Sequence, residues 1–454
     1  MITIKNYNFD YYRYLFITSS ILLFGILLKT FDKRPYVLIE TILLTFGIIF
    51  SFIYLVNNTS NLPKQAKYFL LFIIYLLVYN LIIVFLRPFE VDVSFYDSLF
   101  FSIQEFRLSS LGYLLPLLFL PLSNTENKKI INIFVLLAKI AIAYTILEQL
   151  LSMVGFRSFF ESLYYNSGVV TSNQIGVKSL GLYRIWGFIG SPQILGVFHL
   201  MTLALLLYSK EKSWALLSLI CVFLSTSKTA ILLLVLLMFL YLLLNRKYLI
   251  FSLLTIVIIS LSFFLYAFNE HLVSRMSSDY LFVQKFVGSI KGYFLLIANE
   301  LDYETGHKIG AVYTNQTGPL MNIYSYFSQN PLEIFFGKGI TYSFMNQNLL
   351  QDTPFGQPNL NYNGLFYMNL SSDFYILTYF EQYGIFGTLF LTIIYLVYPL
   401  LLLIKKHCYM LYIPIIFYLS TFHYPPQISK IIMIFVALSI WYIYMKPKTD
   451  HENI

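Results

Sequence analysis

From Tyr248 to Phe268 the chain carries no charged side chain. That apolar run constrains the fold more than any motif does. As a helix, a stretch of about 20 apolar residues reaches across the hydrocarbon core of a bilayer. In water it would need cover on every side, and the rest of the chain has little polar surface to spare. Only 11% of its 454 residues are charged, against about 25% in a soluble domain. Hydrophobic residues make up 58% and aromatics 19%, and the mean hydropathy is +0.70. This excludes a soluble enzyme, a nucleic-acid-binding domain and a disordered chain, and implies an all-α polytopic membrane protein. The net charge of +8 then reads as loop charge that sets orientation. Cys221 and Cys408 both lie in apolar runs, which excludes a disulfide framework or a CxxC metal site.

The apolar runs predict about twelve spans of roughly membrane-crossing length, at 13–30, 36–56, 67–87, 98–122, 130–154, 186–208, 213–226, 228–244, 248–268, 373–404, 408–424 and 427–445. STSK, Ser225 to Lys228, divides 213–244. The run 373–404 reads as one long or broken helix. An even number puts both termini on one side. With those termini cytoplasmic, the inner segments hold Lys64, Lys67, Lys128, Lys129, Lys210, Lys212, Arg246, Lys247, Lys405 and Lys406, among others. The outer ones hold fewer cations, although the cluster from Lys29 to Arg34 lies there. The bias favours this orientation. No small-residue cleavage site follows the first apolar run, so it reads as a retained anchor.

Residues 1–268 would then carry about nine spans with an outer loop at 155–185. A large outer loop would follow at 269–371, then C-terminal spans at 372–445 and a cytoplasmic tail at 446–454. Loops this long usually carry function or their own structure. Tyr280 to Asn299 in the large loop has the apolar spacing of amphipathic helices lying on a membrane face. Gln351 to Gly364 is rich in turn formers.

With charge so scarce, ionisable residues in or beside spans are informative. They are Arg107, Lys139, Glu148, Arg184, Lys228, Asp373, Glu381 and Lys430. A bland alternative exists for each, namely a helix-end residue snorkelling to the interface. Four of them fall in short motifs. In YRIWGFIGSPQILG, Arg184 precedes a Gly-Phe turn and Pro192. Its guanidinium offers the planar fork that suits a phosphate or pyrophosphate, the alternative being an interfacial anchor. In LSTSKTA, Lys228 follows a polar turn between apolar helices and supplies a point charge, the alternative being a simple turn. NPLEIFFGKG, Asn330 to Gly339, is followed by SSDFYILTYFEQYGIFG. There Asp373 opens a helix and Glu381 shares its face two turns on, with Gly384 and Gly387 allowing close contact. The alternatives are an N-cap and a buried structural acid.

In this order the motifs resemble the O-antigen polymerase and ligase superfamily (the Wzy and WaaL type). The family pattern is Arg-x-x-Gly-x-Phe-x-x-Pro at a mid-chain helix, Ser-x-Ser-Arg-x-Ala between helices, and a large periplasmic loop ending in Pro-Leu-x-Gly-x-Gly. A His-or-Asp-Asn-x-x-Leu helix start and Glu-x-Gly-x-x-Gly follow. Here these read RIWGFIGSP, STSKTA, NPLEIFFGKG and DFYILTYFEQYGIFG, and the resemblance covers about 180 to 390. Lys228 stands where the family usually has arginine. Asp373-Phe374 stands where ligases tend to have His-Asn, so the chain looks closer to a polymerase.

The resemblance implies glycosyl transfer between polyprenyl-pyrophosphate-linked oligosaccharides on the outer face of a bacterial inner membrane. It implies no metal, no cofactor and no nucleic acid, with the lipid-linked donor and acceptor and the bilayer as partners and room for a chain-length regulator protein. A departing pyrophosphate needs cations, for which the chain offers Arg184, Lys228 and Arg275. The acceptor hydroxyl needs a base. Asp373 is the first choice and Glu381 the second, with His271 and His307 behind them. A ligase acting on a lipid A core and a flippase for lipid-linked oligosaccharides are the alternatives.

Overall fold

The computed structural model describes residues 11–31, 33–57, 64–90, 96, 107, 110–122, 127–166, 178–179, 182–268, 333–337, 359–360, 366–367, 375–422 and 429–445. Almost all of them are helical. The N-terminal helices are α1 (Tyr11–Leu23), α2 (Gly25–Phe31), α3 (Lys33–Asn57), α4 (Lys64–Glu90) and the single turn α5 (Leu111–Leu114). The central ones are α6 (Asn127–Leu151), α7 (Arg157–Asn166), α8 (Pro192–Tyr208), α9 (Lys212–Leu224), α10 (Lys228–Leu244) and α11 (Tyr248–Ala267). Then come α12 (Glu333–Phe336), α13 (Tyr375–Thr392), α14 (Tyr398–Lys406), α15 (Tyr412–Ser420) and α16 (Lys430–Ile440). The described strands are two-residue hairpin arms. β1 (Lys178–Ser179) pairs antiparallel with β2 (Leu182–Tyr183), and β3 (Asn359–Leu360) with β4 (Phe366–Tyr367).

Among the described residues, four helices are long and apolar enough to cross a membrane: Pro35–Asn57, Lys128–Tyr165, Tyr248–Ala267 and Tyr383–Lys406. Shorter apolar helices fill the rest of the bundle, among them Pro192–Tyr208, Lys212–Leu224 and Lys228–Leu244. The reason is visible in the breaks. The first apolar run divides at Phe24 into α1 and α2. In the fourth run, the described part is α5 followed by a 3-10 turn, Leu115–Phe119, around Pro116, because proline has no N–H for the helical ladder. The sixth run begins with a 3-10 turn, Gly187–Ile189, and becomes α-helical only at Pro192. The run 373–404 is broken at Gly384 (φ 63°, ψ −168°).

From α8 to α11 the chain is an antiparallel meander. Each helix is joined to the next by a three-residue turn, and each turn contains a non-glycine residue with positive φ: Lys210, Thr226 and Arg246. A left-handed residue just past a helix end reverses the chain. Helices α8 and α16 lie at the centre. Every residue from Lys430 to Ile440 in α16 is buried, and nearly all of α8 is. Helix α11 is at the other extreme, with no residue buried although it is uncharged and mostly apolar. Leu249, Leu253, Val257 and Phe263 are all exposed. An apolar helix that turns apolar side chains outward is stable only where its surroundings are apolar too.

Polar contacts inside this apolar bundle are few and tie particular helices. Thr145 of α6 hydrogen-bonds Nε2 of His199 in α8 at 3.0 Å. Ser218 of α9 donates to the His199 carbonyl at 2.8 Å and shares a hydrogen bond with Thr202 at 2.7 Å. Lys139, an ambiguous charge by sequence, bridges to Glu211 at 3.0 Å and lies over the Trp214 ring.

Candidate functional site

The first motif is set by a carboxylate from another helix. Glu148, one turn before the end of α6, is fully buried. Its Oε2 accepts from the Tyr164 hydroxyl at 2.5 Å and from Gly187 N at 2.9 Å, and its Oε1 accepts from Trp186 N at 3.2 Å. Arg157 completes the group, with Nη1 3.7 Å from Glu148 Oε1 and Nε 3.0 Å from Glu161 Oε1. Its guanidinium lies 5.2 Å from the centre of the Tyr183 ring. Arg157 can fold back onto Glu148 because Gly155, at φ 102°, breaks the helix between them.

Arg184 follows the β1–β2 hairpin directly and is half-buried. Two residues on, Trp186 (φ −106°, ψ −28°) precedes Gly187 at φ 59°. A right-handed residue followed by a left-handed one turns successive N–H groups to one point, a backbone nest for an anion. Here the anion is the Glu148 carboxylate. Phe188 stacks on Tyr144 of α6 with ring centres 3.9 Å apart. Ser191 is extended, and Pro192 opens α8, where its missing N–H costs nothing.

The second motif meets the first at the start of α8. Ser227 caps α10 by accepting from Ala230 N at 3.2 Å, and its hydroxyl donates to the Gln193 carbonyl at 3.4 Å. Gly196 lets the turn in. A Cβ there would fall 2.6 Å from both Ser225 Oγ and the Ala230 Cβ. Thr226 sits at φ 50°, and a β-branched residue in the left-handed region is strained. Ser225 Oγ holds the turn by accepting from Ser227 N at 3.3 Å and donating to the Val222 carbonyl at 2.6 Å. Lys228, half-buried, is the first residue of α10. A cation at a helix N-terminus adds to the positive end of the helix dipole, which makes that point attractive to an anion.

The two halves of the third motif also come together. Helix α12 lies against α13, and Gly384 touches the backbone of Phe335 and Phe336. Gly337 carries the contact onward by accepting from the Tyr79 hydroxyl at 2.9 Å. Tyr383 shares a hydrogen bond with Ser110 at 2.9 Å, and Tyr113 donates to Tyr379. Ile376 N, in the first turn of α13, donates to the Thr421 carbonyl just past α15 at 2.8 Å.

Helices α8 and α10 start at the same end of the meander. The turn Tyr409–Leu411 before α15 contacts α8, and Tyr208 at the end of α8 pairs with Tyr442. The start of α13 lies beside Thr421, just past α15. Arg184 precedes the start of α8 and Lys228 opens α10. Asp373, Arg275, His271 and His307 lie outside the described residues, as does the Tyr280–Asn299 stretch. Glu381 lies in α13, with its side chain outside the description. Among the described residues, no three His, Cys, Asp or Glu side chains group as metal ligands do.

Glu148 and Arg157 are functional candidates that sequence reasoning did not assign. Glu148 stood out only as a charge in an apolar run, and Arg157 was not singled out. The Arg157–Glu161 spacing was a readable signal for a helical pair; the 39-residue reach from Glu148 to Gly187 had none. No family model, curated protein or solved structure matches the chain.

Proposed function

We propose that this chain is a polysaccharide polymerase of a bacterial inner membrane, joining oligosaccharide repeat units carried on polyprenyl pyrophosphate. The observation that carries this reading is the meeting of the starts of α8 and α10 in an apolar bundle, with Arg184 ahead of the one and Lys228 opening the other. In this reading those starts face outward, the termini are cytoplasmic, and about twelve spans of roughly membrane-crossing length frame an outer loop at 269–371. The shorter helices complete their crossings through the turns that flank them, as the 3-10 turn Gly187–Ile189 does for α8.

Arg184 and Lys228, with Arg275, hold the donor pyrophosphate and neutralise the charge that grows as it leaves. The acceptor sugar hydroxyl attacks the anomeric carbon of the donor as the bond from that carbon to the pyrophosphate oxygen breaks. Asp373 takes the hydroxyl proton, with Glu381 as second choice for base or as a structural partner. Polyprenyl pyrophosphate departs with the bonding electron pair, and the anomeric centre inverts. The driving force comes from the donor itself, so neither a nucleotide sugar nor a cofactor enters the scheme.

Deleting the gene and resolving the surface glycan on a gel tests the reading. Loss of a polymerase leaves single repeat units. Loss of a ligase leaves long chains on the carrier, and loss of a flippase leaves neither. Arg184→Ala and Asp373→Ala, expressed at normal levels, should reproduce the deletion. Normal polymer from both would overturn the proposal.

A further inference from the structure

We infer that Glu148 is a positioning residue that sets the reach of Arg184 by filling the backbone nest of Trp186 and Gly187. This rests on the reading above, in which Arg184 binds pyrophosphate. A carboxylate has about four acceptor positions. Three described donors and the Arg157 ion pair occupy this one, so it is built to hold fixed partners and not to exchange a proton with substrate. Burying an ion is costly unless it is paired and hydrogen-bonded, and this loop and α7 together supply the partners. Trp186 and Gly187 follow Arg184 by two and three residues, so fixing their N–H groups fixes the point from which the Arg184 side chain leaves. The hairpin β1–β2 holds the loop on its other side. Tyr164 and Arg157 both come from α7, beyond the Gly155 break. The orientation of α7 on α6 is thus coupled to the position of Arg184 through one carboxylate.

Arg157 itself is a poor site for the substrate anion. It faces Glu148 and Glu161 together, and two carboxylates around one guanidinium repel a third negative group.

The test uses the full-length protein in lipid nanodiscs with farnesyl pyrophosphate as the probe, measured by equilibrium titration. Arg184→Ala, Glu148→Gln, Tyr164→Phe and the double variant Glu148→Gln with Arg184→Ala are compared. Glutamine keeps the side-chain shape but presents an N–H donor to groups that are themselves donors. Glu148→Gln should weaken probe binding by about tenfold, in the range expected when an orienting partner is lost. It should add no further loss on the Arg184→Ala background, since coupled residues give non-additive effects. A residue that merely stabilised the fold would weaken binding equally on both backgrounds, and that result overturns the inference. Probe affinity unchanged by Glu148→Gln but lost in Arg184→Ala overturns it too, while leaving the polymerase reading intact. Equal binding by wild type and Arg184→Ala overturns the reading and the inference together. If Glu148→Gln does not fold, Tyr164→Phe, which removes one donor and little volume, enters the same cycle.

Discussion

Gly384 lies against the backbone of Phe335, so the middle of α13 and the single turn α12 are in contact with no side chain between them. A Cβ at Gly384 would fall 2.5 Å from Phe336 N, and nearer still to the Phe335 carbonyl. Its backbone, at φ 63° and ψ −168°, is in a region open essentially to glycine alone.

Gly384→Ala should therefore undo the docking of α12 on α13. The backbone strain alone costs about 1–3 kcal/mol, and the overlap with main-chain atoms, which cannot rotate away, adds to it. Gly155→Ala is the control. Gly155 is also left-handed, at φ 102°, but a Cβ there meets nothing within 4 Å. Thermal unfolding in detergent should show a much larger loss for Gly384→Ala than for Gly155→Ala. Equal losses would mean that the close approach contributes nothing.

Thr145→Val tests the polar tie between α6 and α8. Valine matches the shape of threonine but leaves His199 Nε2 without its 3.0 Å partner. Hydrogen bonds between membrane helices are worth about 0.6 kcal/mol on average and up to about 1.7. The melting temperature should fall by about 1–2 °C for a chain of this length. An unchanged melting temperature would show that the bond is not coupled to folding.

Under the proposed polymerase function, Lys228 and Arg184 should differ in what they tolerate. Lys228→Arg should retain polymer, since a guanidinium keeps the charge at the start of α10. Arg184→Lys should lose most of it, because an ammonium has no planar fork for bidentate contact with a phosphate oxygen pair. Lys228→Ala should shorten the chains, with rates down by about tenfold, or roughly 1.4 kcal/mol of transition-state stabilisation. Glycan gels from cells with matched expression read all three. Full-length polymer from Arg184→Lys would show that a point charge suffices there.

Leu253→Trp reports on the surroundings of α11. Leu253 is exposed on a helix with no buried residue, whereas Trp186 and Trp441 are buried. In vesicles containing brominated lipid, the new tryptophan should be strongly quenched and those two natural ones much less so. No added quenching would mean that protein, and not lipid, covers α11.

Much of the secondary structure was readable because helix and span share one requirement, an unbroken apolar run. The run 228–244 is the helix Lys228–Leu244, and 248–268 is Tyr248–Ala267. Serine at the STSK turn marked a break, since its side chain competes for backbone groups, and Ser227 caps α10 there. The division at Phe24 went unread although a glycine, Gly25, stands directly after it and opens α2. The possible break in 373–404 was legible in outline, with glycine in view. That Gly384 is the point of contact with Phe335 was not, because the two are distant in sequence.

The sequence by itself determined that this chain is a bundle of apolar helices. Unbroken apolar runs of helix length, without the alternation of barrel strands, satisfy their backbone in an apolar medium as helices. It also singled out Arg184 and Lys228 as cations beside apolar helices. Only the tertiary structure decided how those residues are held. Glu148 reaches the N–H groups of Trp186 and Gly187 from another helix, and Gly196 admits the Ser225–Ser227 turn against α8. Such pairings depend on how helices cross, and crossing is set by packing among many side chains at once. Apolar periodicity, being local, carries no record of it.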